Sequence, residues 1–337
     1  MSDQWIGFDF MDRKTPIIVI LISIVLLVAI SGCDGKKDGN GDTIPDAEWA
    51  AAKAEALKGI FLSDGWGNPQ LLPAPVNSDG WEDGAYITSD GSKIYFAYFQ
   101  GNLIGFILNG VKDFEKYKRG PSRGVNPPGT IDVFVSEKNG SSWGEPKKFQ
   151  YDEDVWSEGG VVISDGDIYY MSNNSQKGGF GDDDIYMNGT NVGDGVNSEK
   201  RDNDPHVIGD EMLFWRNDGS FGGNDIFISK RADGKWQKAV ILPSPINSGG
   251  NDMQPFLTSD GTLYFTSDRE GSLIIYKSRR IGENEWGEPE KIASGSGLAM
   301  GVGEPTLTAD GKNLYFVAIF RNDKGTMDVD IAFATKK

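Results

Sequence analysis

An all-β, five-bladed β-propeller is the fold this sequence predicts, and three observations predict it. One hairpin-forming unit recurs five times along the chain. With 45 glycines and 15 prolines among 337 residues, turns are many and long helices few. Finally, a Trp-Gly stretch stands alone ahead of the first unit, and the last unit ends without the strand that such a stretch opens elsewhere.

The unit is cleanest in Asn247 to Tyr276. There Pro255-Phe256-Leu257-Thr258 runs into Ser259-Asp260-Gly261, and Leu263-Tyr264-Phe265-Thr266 follows. Asp-Gly between two alternating apolar runs is a strong hairpin signal. Equivalent hairpins stand at Ala85 to Ala97, Val161 to Tyr170, Pro205 to Trp215 and Pro305 to Val317. A third strand follows in each: Asp132-Val133-Phe134, Asp184-Ile185-Tyr186, Asp225-Ile226-Phe227, Leu273 to Tyr276, and Asp330-Ile331-Ala332. In three units a fourth strand opens at Trp143, Trp236 or Trp286; the second unit offers only the polar, Gly-rich Met187 to Val196. Four short strands per repeat leave apolar faces that only a neighbouring blade can cover. Trp66-Gly67-Asn68-Pro69-Gln70-Leu71 is therefore expected to supply the outer strand of the last blade and close the ring. The propeller then spans 62–337, with blades near 74–150, 151–198, 199–245, 246–296, and 297–337 joined by 62–73.

The segment ahead of the propeller reads as an address. Ile17 to Ile30 is almost continuously aliphatic, follows Arg13 and Lys14, and is short for a bilayer span. Ile30-Ser31-Gly32-Cys33 then resembles a bacterial lipobox, which implies a lipoprotein signal peptide over 1–32 and a lipid on Cys33, the single cysteine. Asp3 and Asp9 do not suit a signal peptide, so Met11 is a candidate start. Residues 33–45 form a polar tether, and 46–61 carry a short Ala-rich helix whose Trp49, Ala56 and Leu57 are expected to pack on the domain. The expected location is extracytoplasmic, anchored to a membrane of the cell envelope.

Composition excludes several functions. A formal net charge of −17 argues against nucleic acid, which needs a basic face. One Cys allows no internal disulfide, and one His (His206) allows no His-cluster metal site. No cofactor is implied. Asp182-Asp183-Asp184 offers oxygen ligands to Ca²⁺, but without EF-hand spacing.

The repeat Pro-x-Leu-Thr-x-Asp-Gly-x-x-Leu-Tyr-Phe, complete at Pro305 to Phe316, followed in other units by Asp-Ile-Phe or Asp-Ile-Tyr, is similar to the TolB-type, WD-repeat-like propeller repeat. The resemblance covers Trp66 to the C-terminus and implies fold more than function, since propellers host many chemistries. It also implies that first strands line the central channel, so that loops before the first strand and after the second share a face. Those loops are long and irregular, and function is expected there.

On that face the first strands begin with Asp83, Glu158, Asp204, Gln254 and Glu304. As a ring they could hold a cation or do acid–base work; as a repeated feature they brace strand starts and the neighbouring blade. Asp204, Gln254 and Glu304 are in register, whereas Asp83 and Glu158 fall one residue further from their turns, an offset that can turn a side chain to the other face. The repeated Asp132, Asp184, Asp225 and Asp330 read as loop braces. A long insertion, Phe99 to Thr130, carries Lys112, Lys116, Lys118, Arg119 and Arg123; it would cover the channel mouth and offer Arg119 or Arg123 to an anion. His206 and Gln254 are further ligand-binding candidates, and Trp215 is expected to be buried between blades.

These readings favour a non-enzymatic, lipid-anchored propeller that binds a glycan or an envelope protein. The alternative is a glycoside hydrolase. Five-bladed family-43-like glycosidases use three channel carboxylates, and Asp202 to Val207 resembles their Asp-Pro strand; the candidates are then Asp83, Glu158, Asp204 and Glu304. Pro also follows Gln254 and Glu304, which accounts for Asp204-Pro205 without catalysis, so no catalytic residue is assigned.

Overall fold

A computed structural model describes residues 46–108, 114–125, 129–153, 156–322 and 325–337. The signal peptide, the Met11 start, Cys33, the tether and Lys112 all lie outside the described residues. No helix among those described is long and apolar enough to cross a membrane.

The described chain is a ring of five antiparallel sheets, one per blade. The three inner strands are Trp81–Ile87, Lys93–Phe99 and Asp132–Asn139 in blade 1, and Glu158–Ser164, Asp167–Ser172 and Asp184–Met187 in blade 2. Blade 3 uses Asp202–Ile208, Glu211–Arg216 and Asp225–Ala232; blade 4, Asp252–Leu257, Thr262–Ser267 and Ile274–Arg279; blade 5, Ala299–Leu307, Asn313–Arg321 and Met327–Thr335. The first strands bury nearly every residue, because they face the channel on one side and a neighbouring blade on the other. In blades 2 and 3 the hairpin turns are two-residue, Asp165-Gly166 and Gly209-Asp210, with positive φ at Asp165, Gly166 and Gly209 as tight hairpins require.

The ring closes as expected. Gln70 and Leu71 pair with Phe333 and Ala332 of the last blade, and Trp66 bridges to Lys336. The match extends to side chains: Lys336 lies over Trp66 as Lys138 lies over Trp143, Arg231 over Trp236 and Arg280 over Trp286. The tryptophans do not open the outer strands themselves. Trp143 and Trp236 form short hairpin extensions, and the outer strands follow at Lys147–Lys148 and Val240–Ile241. Blade 2 finds its outer strand in Thr190–Asn191. One strand has no sequence signal: Phe61–Leu62 adds to the edge of blade 4, so a single N-terminal segment staples two blades.

Ahead of it the helix Asp46–Ala56 packs Trp49 into a core shared with Leu57, Phe316 and Phe320. Trp49 Nε1 and Lys53 Nζ both donate to Asp328 at 2.9 Å, and Lys53 also pairs with Asp330 at 2.6 Å. These carboxylates raise Lys53 above its ordinary range against the lowering effect of burial, which keeps it charged.

Between blades a second repeat appears in the linkers Val76-Asn77-Ser78, Val196-Asn197-Ser198 and Ile246-Asn247-Ser248. Each Asn side chain bonds the backbone N–H and C=O of one strand-three residue in the preceding blade: Ile331, Ile185 or Ile226. Each Ser hydroxyl donates to the acid that starts the next blade: Glu82, Asp202 or Asp252. The same acid pairs with an arginine stacked on two aromatic rings, namely Arg123, Arg216 or Arg269. Linker backbone, acid and guanidinium thus form one repeated brace.

Candidate functional site

The channel is built by a β-bulge repeated in every first strand. Pairing with the second strand slips between Asp83 and Tyr86, Gly159 and Val162, Asn203 and His206, Met253 and Phe256, and Gly303 and Thr306. One residue in each bulge adopts positive φ: Gly84, Gly160, Asp204, Gln254 and Glu304. A left-handed conformation is ordinary for glycine and costs of order 1 kcal/mol for other residues. Blades 3, 4 and 5 therefore carry strain to place a polar side chain where blades 1 and 2 have none.

This corrects the ring read from the sequence. Asp83 precedes its bulge glycine by one residue and Glu158 precedes its own by two. Glu158 is the counterpart of Glu82, Asp202 and Asp252 in the interblade brace, accepting from Ser172 Oγ at 2.8 Å and from the Glu153 N–H. It is buried away from the channel. Asp83, Asp204 and Glu304 do come together: Asp83 and Glu304 share a hydrogen bond, and both feel the charge of Asp204.

Each of the three is held. Trp81 Nε1 donates to Asp83 Oδ2 at 3.1 Å, and Trp215 Nε1 donates to Asp204 Oδ2 at 2.7 Å. Glu304 accepts from Gln254 Nε2 at 2.9 Å and from the Ala85 N–H at 3.2 Å, tying blade 5 to blades 4 and 1. Gln254 and Glu304 thus bond to neighbouring blades, the structural role considered for the ring. Burial, then mutual repulsion, moves these acids upward. Asp204 rises to about 7 and Glu304 well above the carboxylate range, while Asp83 is raised by burial. Two abutting carboxyl groups that bond to each other need a proton between them.

Among the described residues, the long-loop face above them carries an apolar layer. Trp81, Phe99, Met171, Trp215, Met253, Leu273, Ile319 and Met327, contributed by all five blades, form one apolar cluster with Leu103, Ile104 and Phe106 of the insertion. The insertion folds as the helix Leu103–Leu108 and a turn at Phe114–Lys116, and its apolar side joins this plug. Its described apolar residues join that cluster, and its arginines face elsewhere. Arg123 donates to the Pro75 and Val76 carbonyls and pairs with Glu82; Arg119 donates to the Met327 carbonyl beside Asp328. Lys118 sits 3.6 Å from Glu115.

Below the carboxylates the channel opens toward the tight turns. A cavity of about 50 Å³ is lined by Asp204, Gln254, Glu304 and the bulge backbones. Tyr86, Val162, His206 and Phe256 line both it and a second cavity of about 540 Å³, whose outer wall holds Ser89, Asp165, Ser259, Asp260 and Asp310. His206 Nε2–H donates to the Leu257 carbonyl at 2.8 Å, its ring lies 4.4 Å from that of Phe256, and burial lowers it to about 4, so it is neutral near pH 7. Function was expected on the long-loop face; these two cavities run toward the opposite one. Tyr86 and Phe256 were missed, although counting from the bulge rather than the turn aligns both with His206.

The remaining candidates are dispersed. Asp184 accepts from the Phe180 N–H and Asp225 from the Phe221 N–H, so these are loop braces. Asp183 is buried near Arg201, and Asp182 is exposed. No group of three potential metal-ligating His, Cys, Asp or Glu residues occurs among the described residues.

No protein-family profile matches the chain, and no curated protein matches it in sequence. Solved structures do. A glycoside hydrolase is 10% identical with a TM-score of 0.48, covering 86% of this chain and 96% of that one. A thermostable family-43 glycoside hydrolase is 16% identical at 0.44, covering 77% and 92%. A putative TolB from Agrobacterium tumefaciens is 14% identical at 0.41, covering 76% and 83%. Likeness at this level concerns the propeller fold, and no residue role rests on it.

Proposed function

We propose that this propeller is a non-enzymatic binding module, held by a lipid on Cys33 at the extracytoplasmic side of a membrane, which receives part of a glycan or of an envelope protein into the channel from the tight-turn face. The observation that carries this reading is the pair of cavities that run from the tight turns to the carboxylates, with an apolar cluster from all five blades on the other side. Ligand pockets run to about 300–1,000 Å³. The 540 Å³ cavity falls in that range, and the 50 Å³ space touching Asp204 and Glu304 does not. A glycosidase must place a scissile bond between two carboxyl groups. Here Asp83 and Glu304 bond to one another, beneath an apolar plug.

Glycoside hydrolysis is the second reading, because three channel carboxylates with raised affinity for protons do converge. A glycan array combined with a hydrolysis screen, run on the full chain in detergent, separates the two. Binding without turnover, lost when Ser259→Trp fills the mouth, supports the module. Turnover abolished by Asp204→Asn supports the enzyme and overturns the first reading.

A further inference from the structure

We infer that the larger cavity takes an uncharged sugar ring, the end of a neutral glycan, which packs on aromatic side chains and donates a hydroxyl to His206 Nδ1. This rests on the reading that ligands enter from the tight-turn face, and it names the ligand's class and the atom that receives it.

His206 is a buried polar side chain with one ring nitrogen unengaged. It is 7% exposed and lines both cavities. Its Nε2 lies 2.8 Å from the Leu257 carbonyl, which can only accept, so Nε2 carries the proton. Burial keeps the ring neutral near pH 7, which leaves Nδ1 as a bare acceptor. Among the described residues no group donates to Nδ1, and the atom is not sealed in protein. The donor must come from what enters the cavity.

The walls fit a sugar. A pyranose offers a C–H face to an aromatic ring and hydroxyls around its edge, so its site needs rings beside a few polar groups. Phe256 lies 4.4 Å from the His206 ring and stands opposite Tyr264 in the register of blade 4, which puts both side chains on one sheet face. Both are partly buried and line the 540 Å³ cavity. The hydroxyls of Tyr264, Ser89 and Ser259 line it too and have no hydrogen-bond partner among the described residues. A hydroxyl both donates and accepts, as a sugar edge requires. A water occupies about 30 Å³ of liquid volume. The 50 Å³ space therefore holds a hydroxyl or a water but not the ring, which stops where His206 and Phe256 line both cavities.

Charge excludes an acidic sugar. Asp204 and Glu304 line the inner cavity, and Asp165, Asp260 and Asp310 the outer. Arg279 and Lys312 pair with Asp260 and Asp310 from outside the lining. Lys336 is the one ammonium among the described lining residues, and it is held over Trp66 at 5.8 Å from the ring centre. A carboxylate or sulfate would enter against this field and meet no guanidinium, whereas an uncharged ring pays no such penalty.

The chain has one histidine, so its two ring nitrogens give assignable signals. The test is an array of oligosaccharides ending in glucose, galactose, mannose or xylose beside others ending in glucuronate or galacturonate. Nitrogen NMR of the full chain in detergent, labelled at histidine, follows with the oligosaccharide that binds. We expect a neutral sugar to bind roughly tenfold or more tightly than its uronate. It should move the Nδ1 resonance toward that of a hydrogen-bonded nitrogen and leave the proton on Nε2. Phe256→Ala should weaken binding by roughly tenfold. Ser259→Trp on the exposed rim, which leaves His206 in place, should abolish both binding and the Nδ1 shift. The inference is overturned if no neutral sugar binds, if the uronate binds as tightly, if a bound sugar leaves Nδ1 unmoved, or if Phe256→Ala binds like the parent. An acidic sugar or a protein ligand that Ser259→Trp displaces would refute the neutral sugar and leave the tight-turn entry standing. A ligand that ignores Ser259→Trp would refute both.

Discussion

Gln254 and Glu304 hold each other across the seam between blades 4 and 5: the Gln254 amide donates to the Glu304 carboxylate at 2.9 Å, and the Glu304 N–H donates back to Gln254 Oε1 at 3.2 Å. Both residues sit at positive φ, so the bulge strain of two blades is coupled through one amide. Gln254→Ala removes a donor from a buried carboxyl group and should destabilise the fold by about 1–3 kcal/mol. Urea unfolding measures this; a change within error would mean that the pair does not fasten the ring.

Acidity should stabilise the protein. Asp204, Asp183 and Asp330 are each raised to about 7 and Glu82 to about 8, chiefly by burial. A carboxyl group with a raised folded pKa contributes stability fully present below its unfolded value near 4 and lost as pH climbs through the folded value. His206, lowered to about 4, opposes this as pH falls below its unfolded value near 6.5, but it is one group against several. The melting temperature should therefore fall from pH 5 to pH 8, and Asp204→Asn should flatten the slope.

The N-terminal helix is fastened by a buried charge. Lys53 stands between Asp328 and Asp330, all three nearly inaccessible. Removing one member of a buried ion cluster costs about 3–5 kcal/mol, because the two carboxyl groups stay buried without the ammonium that bridged them. Lys53→Met should cost that much in chemical denaturation and lose more at pH 8 than at pH 5, where Asp330 is protonated.

The interblade asparagines should matter more than exposed polar residues. Asn247 donates to the Ile226 and Leu242 carbonyls and accepts from the Ile226 N–H, at 2.8–3.0 Å. Asn247→Ala leaves these backbone groups unmet inside the protein and should cost about 1–3 kcal/mol. Asn313, whose side chain accepts from the Thr335 hydroxyl on the exposed surface of blade 5, is the control, with a smaller expected loss in the same denaturation assay.

The fold was legible because its signals are local and repeated. Each Asp-Gly or Gly-Asp turn marks one hairpin, and Trp66-Gly67 matches Trp143-Gly144 and Trp286-Gly287 closely enough to place the closing strand from the sequence. Phe61–Leu62 was not legible, since two residues at a sheet edge leave no periodicity. The site was legible only in part. Asp83, Asp204 and Glu304 stood out as polar residues at strand starts, but Glu158 looked equivalent because the turn, rather than the bulge, set the count. A bulge changes which residue faces the channel without changing composition. Arg119 and Arg123 drew attention as cations in an acidic chain, and their partners, the Met327 carbonyl, Glu82 and the linker carbonyls, are distant in sequence.

The central claim is that ligand reaches the channel from the tight-turn face rather than from the long-loop face. Binding to the full chain, measured by calorimetry with whichever ligand the screens return, should be compared between Ser259→Trp at the tight-turn mouth and a paired Phe180→Ala, Phe221→Ala variant on the long-loop face. These phenylalanines are about half exposed and lie at matching loop tips. The account predicts that Ser259→Trp abolishes binding and that the paired variant binds like the parent. Binding that survives Ser259→Trp and is lost with the two phenylalanines would contradict it.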